Sequence, residues 1–457
     1  MSYTNIITNA ISSKLNNPIL ETLKEIKITS LLKKSSFNKK DGASSYTIFL
    51  HFIYMILMNK KIATFMKQSK DSLKKDAYYR MLKNEKYNWQ KLLLLSSAKL
   101  ISLVAPLQKS IEEKLFIIDD TNEDKRGKLI EGVCDKLWSN KDKKTIRGIN
   151  LVSLNYSDGH SNFMLDFALK FNDNLRVRIH DFKNKFYHTS HAQKRKEEGL
   201  DSKLVIALNM LKRALKAGVK ADYLLVDSWY SKPNFIKDVK KLKLHVITRI
   251  ANNNRIWHFK NNYKTLNRTY SILIKTVKRK RASYNKIKYT YCSTVVNHHI
   301  AGRVKIVFIK THNKLIPILS TNIRLTDERI INIYKKRWNI EQGYKELREH
   351  FGFGKEENRI YEALIARISL SFISYNLVSY INRINHEPQT LGGLFKDLEC
   401  ELTNLAISMD FFIQILVEIS QNINETQKDE KTHIILSQLI HSLGVCTQNS
   451  LGFMCES

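Results

Sequence analysis

Two short segments of this chain are apolar at every position and then stop at aspartate: Leu115–Phe116–Ile117–Ile118–Asp119–Asp120 and Tyr223–Leu224–Leu225–Val226–Asp227. A half-exposed strand alternates apolar and polar residues, whereas a run without alternation fits a strand covered on both faces. Such strands belong to sheets flanked by helices. The pair therefore points to an α/β core that carries acidic side chains where two buried strands end.

At 457 residues the chain is too long for one ordinary core, so two or three domains are expected. Its 76 Lys and Arg outnumber 43 Asp and Glu, giving a net charge of +33, which points to a polyanionic partner. Codon drift in an AT-rich genome raises lysine generally, but it does not gather charge into runs such as Lys278–Arg279–Lys280–Arg281. The five cysteines are odd in number and lack metal-ligand spacing, as expected of free thiols in a reducing compartment. Met1–Asn17 lacks the pattern of a signal peptide, and the apolar run Ile48–Met58 is too short to span a bilayer. Ala363–Ile381 is longer but contains Arg367 and reads as a buried helix. A soluble, cytoplasmic protein without membrane contact is expected.

Periodicity divides the chain into five regions. Residues 1–112 read as helical, with basic residues interleaved among apolar ones over Ser72–Leu82, and are expected to bind DNA. Residues 113–250 give the order strand, strand, strand, helix, strand, helix, strand. Their strands are Leu115–Asp120, Ile146–Tyr156, Asn162–Phe171, Tyr223–Asp227 and Leu244–Ile250, with helices over Gln193–Lys216 and Lys232–Leu242. Residues 251–313 read as a β-rich insertion with strands Ile256–Phe259, Tyr270–Thr276, Ile287–Val296 and Val304–Lys310. Residues 314–358 resume the core with a strand over Leu315–Asn322 and one long helix from an N-cap at Thr326 to about Phe351. Residues 359–457 read as helical. The order fits a ribonuclease-H-like core, in which the first and fourth strands lie side by side and a late helix meets their ends.

The late helix carries the chemistry. At about 100° per residue, Tyr334, Arg337, Glu341 and Arg348 project within about 60° of one another. Ile333, Ile340, Tyr344, Leu347 and Phe351 form an apolar stripe beside them. One face can be buried while the adjoining edge offers a carboxylate among cations. Asp120, Asp227 and Glu341 are more than a hundred residues apart, so only the fold can gather them. Three hard carboxylates there would hold Mg²⁺ or Mn²⁺. Two ions could activate a water or 3′-hydroxyl against a phosphodiester.

These residues resemble the bacterial insertion-sequence transposases of the DDE type, in the cut-and-paste group with a Tyr-Arg-Glu-Lys signature. Asp120 in Ile118–Asp119–Asp120–Thr121 matches the first catalytic aspartate, and Asp227 in Val226–Asp227–Ser228–Trp229–Tyr230 matches the second. Tyr334, Arg337 and Glu341 match the signature at spacings of three and four. The family's lysine falls on Arg348, a departure that keeps the charge and not the geometry. Strand alternation sends Asp119 and Asp120 to opposite faces, so they compete for the first role. The resemblance favours Asp120, because the family's ligand directly precedes the threonine-like position, and leaves Asp119 as a supporting or capping residue.

The resemblance further implies that Tyr334, Arg337 and Arg348 touch DNA phosphates and that Trp257 or Trp229 stacks on an extruded base. Lys278, Arg279, Lys280, Arg281 and the tract Lys194–Arg195–Lys196 are expected to meet backbone phosphate without reading sequence. His188, His191 and the pair His298–His299 read as surface histidines. The implied activity is that of a transposase acting as a homodimer on double-stranded DNA, both terminal inverted repeats and target DNA, in the bacterial nucleoid. Two other readings share the core: a catalytically silent or domesticated transposase that only binds DNA, and a ribonuclease-H-like nuclease or resolvase that cuts without joining.

Overall fold

The computed structural model describes residues 18–39, 41–68, 73–108, 112–125, 127, 130–139, 143–171, 190–251, 256–259, 262–284, 287–312, 314–355, 358–385, 390–400 and 402. Contacts divide the chain into two compact units, one from residues 1–96 with 346–457 and one from residues 97–345.

The described residues of the first unit are helical. Its longest helix, Tyr361–Ile384, is buried at Tyr361–Ser371 except for Arg367, and throughout Phe372–Ile381. A helix that is apolar on all sides needs neighbours on all sides. Helices Pro18–Glu25, Ser45–Leu57 and Lys75–Leu82 pack against it. Among the described residues two helical stretches, Trp89–Leu107 and Tyr361–Ile384, are long and apolar enough to cross a membrane. The second is 94% buried as the unit's central helix. Ser44 caps Ser45–Leu57 by accepting from the Thr47 amide at 3.0 Å. Inside the unit His51 Nδ1 and the Tyr78 hydroxyl share a hydrogen bond of 2.8 Å.

The second unit is built on one mixed sheet. Strands β1 (Leu115–Asp124), β2 (Cys134–Ser139), β3 (Lys144–Ser157), β4 (Asn162–Lys170), β5 (Tyr223–Val226) and β6 (His245–Arg249) form one part. Strands β7 (Ile256–Phe259), β8 (Asn262–Thr265), β9 (Lys280–Tyr284), β10 (Ile287–His298), β11 (Gly302–Lys310) and β12 (Leu315–Ser320) form the other. The order is β2-β3-β1-β5-β6-β12-β11-β10-β7-β8, with β4 beside β3 and β9 beside β10. The two wholly apolar runs are the adjacent parallel strands β1 and β5, and Leu115–Ile118 and Tyr223–Val226 are buried throughout. Their pairing ends at Ile118↔Val226, so Asp119 and Asp227 leave the ladder at the same level.

Among the described residues helices fall where the periodicity placed them, with three differences; the helical reading of residues 1–17 and 403–457 lies outside the described residues. The basic stretch Gln193–Lys216 is two helices, His191–Leu200 and Lys203–Lys216, because Asp201 turns extended after the first and Ser202 caps the second by accepting from the Val205 amide. Tyr270–Thr276, expected as a strand, is part of a helix, Leu266–Thr276. Thr265 caps it, and Leu266, Thr269 and Leu273 bury one face at helical spacing, which outweighs their β-branched and aromatic neighbours. The helix begun by Thr326 is broken: Asp327–Lys335 and Trp338–His350 are separate. Lys336, Arg337, Asn339 and Ile340 each donate to the carbonyl three residues back, a tighter winding between the two helices. Strands β2, β8 and β9 lie in segments where no strand was expected.

Candidate active site

Strand β1 runs on to Asp124 beside β3, past the expected end at Asp120, and just beyond its last residue paired with β5 its two aspartates point apart. Asp120 Oδ2 accepts from Lys203 Nζ at 2.8 Å and from Asn150 Nδ2 at 3.0 Å. Asn150 stands on β3, opposite Asn122, and also donates to Asn122 Oδ1 at 2.6 Å. Asp119 turns toward the Glu341 helix, where its Oδ2 accepts from Arg337 NH1 at 2.9 Å and its Oδ1 from the Asp120 amide at 2.9 Å. The other terminal nitrogen of Arg337 donates to Glu341 Oε1. One guanidinium thus joins Asp119 of β1 to Glu341.

Asp227 follows β5 in a turn, its Oδ1 accepting from the amides of Trp229 at 2.9 Å and Tyr230 at 3.3 Å. Trp229 is 45% exposed and Tyr230 fully buried. Among the described residues the Tyr230 hydroxyl has no hydrogen-bond partner. Burial and then the negative charges of Asp120 and Asp119 hold its ionisation well above the usual tyrosine range.

The Glu341 helix is fastened to the sheet by polar side chains. The Tyr344 hydroxyl donates to the Asp119 carbonyl at 3.1 Å and lies 2.8 Å from Ser153 Oγ on β3. Asn339 Nδ2 donates to Ser157 Oγ at 3.2 Å, and Asn162 Nδ2 donates to the Asn339 carbonyl at 3.1 Å. These contacts fix the first turns of the helix, and with them Glu341.

Charge is crowded here. Burial pushes Asp119 up to about 7; Arg337 opposes the shift, while Asp120 and Asp227 add to it. Asp227 is also raised, chiefly by burial, against the two amides it accepts from; Asp120 raises it further and Arg337 lowers it. Burial disfavours the charge of Arg337, but Asp119, Tyr334 and Glu341 outweigh that and raise its pKa. Tyr334 is half-buried beside Arg337, and burial raises it.

Arg348 belongs to the helical unit, its guanidinium carbon 5.8 Å from the Phe353 ring centre. Lys278 and Arg279 sit in an exposed turn, and Lys280 and Arg281 open β9, with Lys280 Nζ 3.0 Å from Glu328 Oε1. Trp257 lies on β7, and its side chain falls outside the described residues, as does His188. The His298 ring accepts from the amides of Ile300 and Ala301 and closes a turn. Lys203, Asn150 and Tyr344 were not visible as site residues in the sequence. The polar positions Asn150, Ser153 and Asn155 inside an apolar strand were the available signal.

Among the described residues no three His, Cys, Asp or Glu side chains are gathered closely enough to hold an ion as they stand. Asp120 is turned to Lys203, and Asp119 and Glu341 are spaced by Arg337. The donor chemistry nonetheless fits a hard divalent cation. Every group is a carboxylate oxygen, and burial with mutual repulsion lifts Asp119 and Asp227, a cost that a cation relieves.

Two family descriptions match the sequence: "DDE superfamily endonuclease" over residues 60–272 and "Transposase DDE domain" over residues 181–377. A comparison with curated proteins found no match. Between them the two matches cover β1, β5 and the Glu341 helix, with all four carboxylates. The chain belongs to the DDE transposases and endonucleases.

Proposed function

We propose that this protein is a transposase that cleaves the ends of its own element and joins them to target DNA, with Asp120, Asp227 and Glu341 as its catalytic carboxylates. The observation that carries the reading is that the β1·β5 ladder ends at Ile118↔Val226, which sets the Asp119–Asp120 pair beside Asp227; Arg337 ties Glu341 to Asp119, which therefore rivals Asp120 for the first role. Ligands of open α/β sheets collect where parallel strands end.

Asp120, Asp227 and Glu341 would hold Mg²⁺ or Mn²⁺, two ions in the full site. What the metal supplies when bound is Lewis acidity at the phosphodiester. Arg337 keeps Asp119 and Glu341 at a fixed separation and carries the positive charge nearest to them. Tyr334 stands beside it, and both would contact a DNA phosphate. The strand order β4-β3-β1-β5-β6 supports a ribonuclease-H-like core, and β7–β11 support a β-rich insertion between β6 and β12. Lys278–Arg281 would meet backbone phosphate, their affinity falling with salt. The N-terminal helices would recognise terminal inverted repeats, and a homodimer would pair the two ends.

The reading is tested with DNA carrying the element's ends and Mg²⁺. The wild type is expected to nick intact ends and to join pre-cleaved ends to a target duplex. Asp120→Asn and Asp227→Asn are expected to do neither. Nicking without joining would leave a nuclease and overturn the transposase reading.

A further inference from the structure

Lys203 is a cation in an unfavourable place. It is the first residue of helix Lys203–Lys216, capped by Ser202, where amide groups point outward and the helix dipole disfavours positive charge. It is only 23% exposed, so it is partly withdrawn from water as well. Two contacts offset these costs: Asp120 Oδ2 at 2.8 Å and the Trp229 ring, whose centre lies 5.3 Å from the ammonium nitrogen. The ammonium thus sits on Asp120 while resting on the residue two after Asp227. It bridges Asp120 of β1 and the turn that follows β5.

We propose that Lys203 is a standing counterion of Asp120, which a divalent cation displaces. This inference rests on Asp120 being a metal ligand. Asp120 Oδ2 already accepts from Asn150, which fixes the carboxylate's rotation from β3. Lys203 therefore holds a charge in a position that packing has set independently. A cation binding to that oxygen must compete with the ammonium, and Trp229 remains as a seat for it. Lys203 is a positioning residue: it holds Asp120 oriented between turnovers and sets the metal concentration at which the site fills.

The test is Mn²⁺ binding to the full-length protein without DNA, followed by calorimetry. Lys203→Met removes the competitor and leaves the stem, and Lys203→Gln serves as a second variant should the first fold poorly. Both are expected to bind Mn²⁺ at least about threefold tighter than wild type, the factor a partly exposed ion pair commonly contributes. Lys203→Arg is expected to restore competition. In the wild type, Mg²⁺ should also change an emission signal that Trp229→Phe abolishes. Unchanged or weaker binding in both neutral variants overturns the counterion role while leaving the metal site intact. Wild-type binding that Asp120→Asn does not weaken overturns the metal reading itself, and the inference with it.

Discussion

The Tyr344 hydroxyl donates to the Asp119 backbone carbonyl across 3.1 Å. Its one proton is thereby used, so the Ser153 hydroxyl, 2.8 Å away, donates to Tyr344 in turn. This chain of two hydrogen bonds ties the Glu341 helix to both β1 and β3. Tyr344→Phe keeps the ring and removes both bonds in a buried setting. The expected cost is about 1–3 kcal/mol, because two partners are left unsatisfied. On the proposed reading cleavage falls further than stability does, since Glu341 loses its anchor. Denaturant melts and a nicking assay on the same preparation measure the two losses separately.

Arg337 holds two carboxylates with two nitrogens, a geometry that lysine cannot reproduce. Arg337→Met leaves Asp119 and Glu341 facing each other with no counterion. The pair is 17% exposed on the arginine side, and about 1–3 kcal/mol of destabilisation is expected after allowing for solvent screening. Mg²⁺ should recover part of it, so the variant's melting temperature is expected to rise more with Mg²⁺ than that of the wild type. An equal rise in both would contradict the shared role of these carboxylates.

The Tyr230 hydroxyl is buried near negative charges, without a partner among the described residues. Removing an unsatisfied polar group relieves a desolvation cost. Tyr230→Phe is therefore expected to leave the metal-free protein as stable as wild type or about 1 kcal/mol more so, as read by chemical denaturation. A loss of stability would mean that the hydroxyl has a partner in solution.

Glu328 offers a pH signature remote from the carboxylate site. The Tyr291 hydroxyl donates to it at 2.6 Å and Lys280 at 3.0 Å. Led by the tyrosine, these contacts lower its pKa from 4.5 to about 2. A depressed folded-state value stabilises above the unfolded pKa and fades below it. The melting-temperature gap between wild type and Glu328→Gln should be full at pH 6 and close as pH falls from 4.5 toward 2. A gap that widens on acidification would contradict the assignment.

Much of the core could be read from residue order alone. Leu115–Ile118 and Tyr223–Val226 announce buried parallel strands because they never alternate, and the strands over Ile146–Tyr156 and Asn162–Phe171 do so by flanking a turn at Ser157–His160. Composition misled at Tyr270–Thr276, where strand-forming residue types occupy a helix that Thr265 starts. It also hid the tight winding at Lys336–Arg337, which no Gly or Pro marks. Glu341 and Arg337 are legible through their spacing of four. Lys203 and Asn150 are not, because their nearness to Asp120 depends on sheet register and on how helix Lys203–Lys216 lies over β3 and β4. Asp119 illustrates both cases: alternation separates it from Asp120, but only the packed structure turns it toward Arg337.

The central claim is that Glu341 belongs to one reacting centre with Asp120 and Asp227. Its most direct test is Mg²⁺-dependent strand cleavage of element-end DNA by Glu341→Gln, in protein whose melting curve matches wild type. The account predicts loss on the order of a hundredfold or more, the scale seen when preorganised charge is removed from a reacting centre. Cleavage by Glu341→Gln at the wild-type rate would contradict it.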